Sequence, residues 1–164
     1  MQVIHICYNT YMTSYYLMKS EGDCYPISQL KKDKTSPWSG VRNYQARNYM
    51  KDMNVGDKIL FYHSSSKPTG VFGLAEVSKV AAPDITAFDK KDEHYDTKST
   101  PEKPIWECVT VEYVDTFTKP VTLDDMKKVE KLQKMKLFQK GSRLSIIPVT
   151  KQEYEIICKM SGKK

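Results

Sequence analysis

The sequence predicts an α+β domain or a small β-barrel with helices on its rim, and three observations carry that prediction. At 164 residues the chain has the length of one domain, enough to bury a core without disulfides or metal. Five or so runs of strand length are interleaved irregularly with short helical patterns, not in regular strand–helix repeats. No stretch approaches the roughly 20 apolar residues of a membrane-spanning helix, and no internal repeat is visible.

Residues 1–12 read as an N-terminal appendage with neither the basic flank nor the apolar length of a secretory signal. Tyr15–Ser20 is a short apolar run ended by Glu21-Gly22-Asp23, a buried strand and its turn. Pro26–Leu30 opens a short helix with Ser28 as N-cap, and Lys31–Ser39 reads as a polar loop. From Val41 to Met53 the pattern is helical, because Ala46, Tyr49, Met50 and Met53 recur at three- and four-residue spacing. Asn43 and Arg47 share the shoulder of that stripe. Val55-Gly56-Asp57 is a turn, and Lys58–His63 is a strand. Gly70–Ala82 is a long strand with Gly73 expected at a bulge. The 23 residues Pro83–Ile105 form a loop, unusually long for a compact domain and therefore expected to be functional. Trp106–Thr118 alternates as a half-buried strand, Thr122–Asp125 is a capping-box pattern, and Ser145–Val149 is the last strand. Thr150-Lys151-Gln152-Glu153, a second capping box, opens a terminal helix with Tyr154, Ile157 and Cys158 inward.

The formal charge is +6, from 23 lysines and 3 arginines against 20 acids, and its distribution matters more than its sum. Residues 1–82 and 106–164 each carry +4, whereas 83–105 carry −2. Lys127–Arg143 holds seven basic residues against the single acid Glu130. Such a balance admits a polyanionic partner, although a run such as Lys127–Lys140 is more often a solvated helix face than a phosphate-binding surface. Cys7, Cys24, Cys108 and Cys158 lack metal-site or disulfide-framework spacing, which implies a reducing compartment, nuclear or cytoplasmic.

Several chemistries are disfavoured. The chain contains no G-x-G-x-x-G, no G-x-x-x-x-G-K-[ST] and no G-x-S-x-G, so Rossmann, P-loop and α/β-hydrolase sites lack their defining loops. Three histidines are too few for most metal sites, and no metal or cofactor is expected. His63 ends a strand, where it is either a satisfied structural histidine or a general base. The densest concentration of recognition side chains is Trp38–Asn48: Trp38 and Tyr44, the amides of Asn43 and Gln45, and the guanidinium groups of Arg42 and Arg47. These are the tools for holding a flat heterocycle by stacking, bidentate edge bonds and phosphate contacts. Singly, each has a structural alternative, with Trp38 plugging the core and Asn43 and Gln45 capping helix ends. Lys19-Ser20 and Ser142-Arg143-Leu144-Ser145 lie at strand ends that can converge on the same place.

The segments YYLMKSE (15–21), WSGVRNYQARNYM (38–50), VGDKILFYHS (55–64), GLAEV (73–77), TAFD (86–89) and GSRLSIIPVT (141–150) resemble, in order, the EVE domain family. The resemblance covers about nine-tenths of the chain and makes 13–164 the domain. It implies a PUA-like, small, mixed and twisted β-barrel of five to six strands with short helices around it, related to YTH domains. It further implies a non-catalytic module that reads a modified base in DNA or RNA; a monomer with no membrane partner is expected. The implied base is 5-methylcytosine or a relative, with N6-methyladenine as an alternative. Carried over residue by residue, Lys19, Ser20, Trp38, Asn43, Tyr44 and Gln45 match the family's pocket and Arg143 its SRL motif; the pocket is expected to include Ser39, Phe61 and His63 as well. Arg42, Arg47, Arg143 and Ser145 are the expected phosphate contacts. Gly22 departs from the family pattern, which has proline there, and is expected to alter the turn alone. Two other readings stand beside this one: an enzyme on modified nucleic acid with His63 as base, and a small-molecule or nucleobase-binding module. Trp38→Ala is expected to abolish binding and leave the fold intact.

Overall fold

The structure is a computed structural model and describes residues 11–141 and 143–163. The expected appendage therefore lies outside the described residues except for its last two positions, and Ser142 lies outside them also. Six strands form one mixed sheet: β1 (Tyr15–Glu21), β2 (Thr35–Pro37), β3 (Lys58–Ser64), β4 (Gly70–Pro83), β5 (Glu107–Thr122) and β6 (Ile146–Val149). Their order is β2-β5-β4-β3-β1-β6, with β1 and β3 parallel and the remaining pairs antiparallel. The class is the expected α+β one, but the described sheet does not close into a barrel, since β2 and β6 pair only inward.

Strand alternation decides where the core sits. Tyr16 and Met18 of β1, Ile59 and Phe61 of β3 and Ile146 of β6 join one apolar cluster. Their neighbours Leu17, Leu60, Tyr62 and Ile147 join another. Successive side chains leave opposite faces of a strand, so these central strands, covered on both faces, need apolar residues throughout. Helices α1 (Ile27–Asp33) and α2 (Tyr44–Asp52) contribute Ile27, Leu30, Ala46 and Met50 to the first cluster. Helices α3 (Leu123–Lys127) and α4 (Lys151–Met160) contribute Met126 and Ile157 to the second.

Both capping patterns form: Thr122 accepts from Asp125 N–H, and Thr150 and Glu153 make the reciprocal box. Gly73 sits at register shifts in its strand pairings, and a Cβ there would come within 2.4 Å of the Asp115 carbonyl oxygen. Helix α1 departs from expectation. It begins one residue before Ser28, its N-cap is Pro26 with no side-chain cap bond, and it runs on to Asp33. The expected polar loop contains β2, which pairs with Thr110–Glu112 of β5. The basic run after α3 is not one helix but two 3-10 turns, Glu130–Leu132 and Lys136–Phe138.

Candidate functional site

The end of β1, the turn before α1, β2, the segment Trp38–Asn43 and the long loop after β4 surround a cavity of about 500 Å³. Its walls include Lys19 and Ser20 from β1, Trp38, Ser39 and Asn43 from the segment before α2, and Ser145 from the approach to β6. All six are among the expected site residues. Lys19 and Ser145 meet because the Lys19 N–H donates to the Ser145 carbonyl at 2.8 Å. Burial lowers the Lys19 ammonium pKa, and its Nζ lies 6.0 Å from the centroid of the Tyr62 ring. The Ser20 hydroxyl donates to the Tyr25 carbonyl at 2.6 Å and so fixes the turn at the cavity edge.

Trp38 is both wall and core. It is only 8% exposed, meets Phe61 edge-to-face at 5.5 Å, and donates its backbone N–H to Val109. Truncating it to alanine therefore opens the core as well, against the expectation of an undisturbed fold. Asn43 is the N-cap of α2: its Oδ1 accepts from Ala46 N–H at 2.9 Å, which leaves its amide hydrogens for a ligand.

The remaining residues of the implied site stand behind or beside the cavity. Phe61 is fully buried beneath Trp38. His63 is 5% exposed, stacked on Phe72 at 4.0 Å, and its Nε2 accepts from Ile27 N–H at 3.0 Å. This bond supplies α1 with the cap its own sequence lacks. Burial lowers the His63 pKa and favours the neutral ring. Tyr44 packs outward against Trp106 at 4.9 Å, with the Arg47 guanidinium 4.9 Å from its ring centroid, and Gln45 is exposed on α2; neither lines the cavity. Arg47 also donates to the Ile105 carbonyl at 2.9 Å. Arg143 is exposed, two residues from the Ser145 wall.

Arg42 lines the cavity, but its guanidinium is already engaged. It donates to Asp84 Oδ2 at 2.9 Å, to the Thr86 hydroxyl at 2.9 Å and to the His94 carbonyl at 2.7 Å. Asp84 is 2% exposed and also accepts from Gly40 N–H at 2.8 Å and from Thr86. Burial raises the Asp84 pKa, and these donors outweigh it, holding the carboxyl below the usual carboxylate range. Gly40 has φ +83, and a Cβ there would lie 2.9 Å from the His94 ring. The long loop is thus a brace: Asp84, Thr86 and His94 hold the backbone that carries Trp38 to Asn43, while Asp96 accepts from the Trp106 indole at 2.7 Å.

Glu21, Cys24, Tyr25, Glu93 and His94 also line the cavity, and no sequence signal marks them, because only the fold brings these turn residues to its edge. Among the described residues no group of three or more His, Cys, Asp or Glu side chains is placed to hold a metal. No helix among them is long and apolar enough to cross a membrane.

The EVE domain family model matches residues 14–160. Human thymocyte nuclear protein 1 is 35% identical over 172 residues, covering 93% of this chain and 76% of that protein. A structure from Leishmania major superposes with a TM-score of 0.89 at 49% identity, covering 92% of this chain and 96% of that one. Human THYN1 protein in complex with 5-methylcytosine-containing DNA superposes with a TM-score of 0.86 at 35% identity, covering 93% and 99%.

Proposed function

The chain belongs to the EVE domain family, and from that membership we propose that it is a non-catalytic module that binds nucleic acid and takes one modified base, 5-methylcytosine or a close relative, into the Trp38 cavity. The observation that carries the reading is the cavity itself: about 500 Å³, walled by an indole and the free amide of an N-cap, in the fold of a relative solved with 5-methylcytosine-containing DNA. The volume lies within the range of small-ligand pockets. Unstacking a base costs a few kcal/mol, and an aromatic wall returns about 1–3 kcal/mol. Burying one added methyl is worth about 0.8 kcal/mol, roughly a fourfold preference. Lys19 brings positive charge to the wall, and Asn43 brings donors for a base edge.

The non-catalytic part of the reading is supported by the state of the reactive groups. His63 commits its Nε2 to Ile27 and has no lone pair left for a substrate proton. Burial pushes the Cys108 thiol up to about 12, and the Glu21 carboxylate beside Cys24 raises that thiol as well. We take the molecule to act as a monomer in the nucleus, as its relatives' name suggests, or in the cytoplasm.

Calorimetric titration with paired oligonucleotides differing in one 5-methylcytosine tests the reading. Trp38→Phe retains an aromatic wall and is expected to weaken binding of the modified strand only partly. Trp38→Ala is expected to weaken it by about 5- to 150-fold, the worth of one stacked base, and to cost about 3–5 kcal/mol of stability with it. Asn43→Ser keeps a capping oxygen but removes the amide donors, so it reports on recognition with the fold preserved. Equal affinity of the native protein for modified and plain strands overturns the reading. A free modified nucleoside binding as tightly as the oligonucleotide favours the small-molecule alternative instead.

A further inference from the structure

The 3-10 segment that leads into β6 is built as a charged surface. Residues 131–143 contain five cations, Lys131, Lys134, Lys136, Lys140 and Arg143, and no acid. All five are exposed, and no ion pair or side-chain hydrogen bond engages them among the described residues. Lys127 and Lys128, just upstream, differ in pairing with Asp124 and Asp125 at 3.7 and 3.6 Å. The segment is not a loose tail. Leu132 and Met135 are buried in the second apolar cluster, and Leu137 and Phe138 pack against it, so the apolar residues pin the backbone while the intervening lysines face water. Unpaired like charges this close repel one another, and a solvated helix face would ordinarily intersperse acids to relieve that.

The segment packs beside two elements that contribute to the cavity, α2 and the approach to β6. Lys136 Nζ lies 5.8 Å from the centroid of the Tyr49 ring on α2, the helix whose N-cap is Asn43. Arg143 precedes Ser145, whose carbonyl is bonded to Lys19. The Arg42 donors are engaged in the brace, so this segment rather than that residue holds the larger set of available cations beside the cavity.

From this juxtaposition we infer that Lys131–Lys140 together with Arg143 is the track for the sugar–phosphate backbone of the nucleic acid whose base enters the Trp38 cavity, with Lys134, Lys136, Lys140 and Arg143 meeting phosphates independently of sequence. The inference rests on the reader function proposed above and adds the surface that supplies its affinity. Phosphate contacts give non-specific affinity and salt dependence, whereas the cavity gives discrimination. The two contributions should therefore separate experimentally.

The experiment measures binding of a DNA duplex with one 5-methylcytosine, and of its unmodified twin, across a salt series. The proteins are the native chain, K134Q/K136Q/K140Q, and K79Q/K119Q/K159Q, which removes equal charge from exposed lysines of β4, β5 and α4. The first triple variant is expected to weaken binding of both duplexes by the same factor, about tenfold or more at low salt, and to reduce the slope of log K against log salt by about 0.9 for each phosphate no longer neutralised. The modified-to-plain ratio should not move. An unchanged slope, or an equal loss of affinity in the second triple variant, overturns the track. A native ratio of one together with a slope reduced only in the first variant sinks the reader function while leaving the track standing. All six lysines are exposed, so a shared melting temperature verifies that folding is not what changed.

Discussion

At the scale of single residues, His63 and Trp38 show how one side chain serves fold and site together. His63 caps α1 from another element, accepting from Ile27 N–H, and burial keeps its ring neutral. Unfolded, it would titrate near the ordinary value of about 6.5. Below that pH the unfolded chain binds a proton that the folded one resists, so this contribution to stability is complete above about pH 7 and is lost as the pH falls. A melting series from pH 7.5 to 5 (on the order of the histidine range) is expected to show a steeper decline for the native protein than for His63→Gln, whose side-chain carbonyl can still accept the Ile27 bond. His63→Leu should cost about 1–3 kcal/mol near pH 7.5 by orphaning that N–H, and the gap to the native protein should narrow as the pH falls. Parallel pH curves for native and Gln proteins would contradict the assignment of His63 as a buried neutral cap.

At the scale of elements, the cavity depends on a segment with almost no regular structure of its own. Trp38 to Asn43 lies between a three-residue strand and α2, and its shape is held from outside by the loop after β4. Asp84 is the hub: one oxygen serves Gly40 and Arg42, the other Thr86. Asp84→Asn puts an amide where those donors converge, and removing one partner of a buried pair costs on the order of 3 kcal/mol. Because the Asp84 carboxyl is held below its ordinary range, its stabilisation is present above about pH 3.9 and disappears as the pH falls through the folded value. Acid unfolding monitored by circular dichroism should therefore lose part of its low-pH limb in the Asn variant; an undiminished limb would remove Asp84 from the role of hub. In the sequence this loop stands out by its length alone, and the brace is what that length accomplishes.

At the scale of the whole molecule, a two-faced sheet separates support from recognition. The central strands bury both faces, and the cavity forms at the C-terminal end of β1, beside Lys19 and Ser20. Its walls come from segments distant in the chain, so a bound base ties β1, the Trp38 segment and the approach to β6 together. Ligand that binds only the folded state at 100 times its Kd adds about 2.7 kcal/mol. For a chain of this size that raises the melting temperature by roughly 5–10 °C. Differential scanning calorimetry with the modified oligonucleotide should show this shift, and a smaller one with the plain strand at equal concentration. No shift at saturating ligand would mean that binding does not involve the folded domain.

Elements whose cause is local were legible in the amino-acid order. The strand runs Tyr15–Ser20 and Lys58–His63, the α2 stripe and the Thr150 capping box all follow from periodicity and short-range hydrogen bonding. Seven of the expected site residues, Arg42 among them, line the cavity, because side-chain types at fixed spacing survive as a pattern. Whatever depends on partners far along the chain was settled by the tertiary fold. The cap on α1 comes from His63, 36 residues away, and β2 exists because β5 offers it a ladder. The same distance effect turned Arg42, a phosphate ligand by residue type, toward Asp84, and left the cations of 131–143 without an acid to pair with among the described residues. A guanidinium takes whichever acceptor the fold brings nearest, and no spacing in the sequence reveals which one that is.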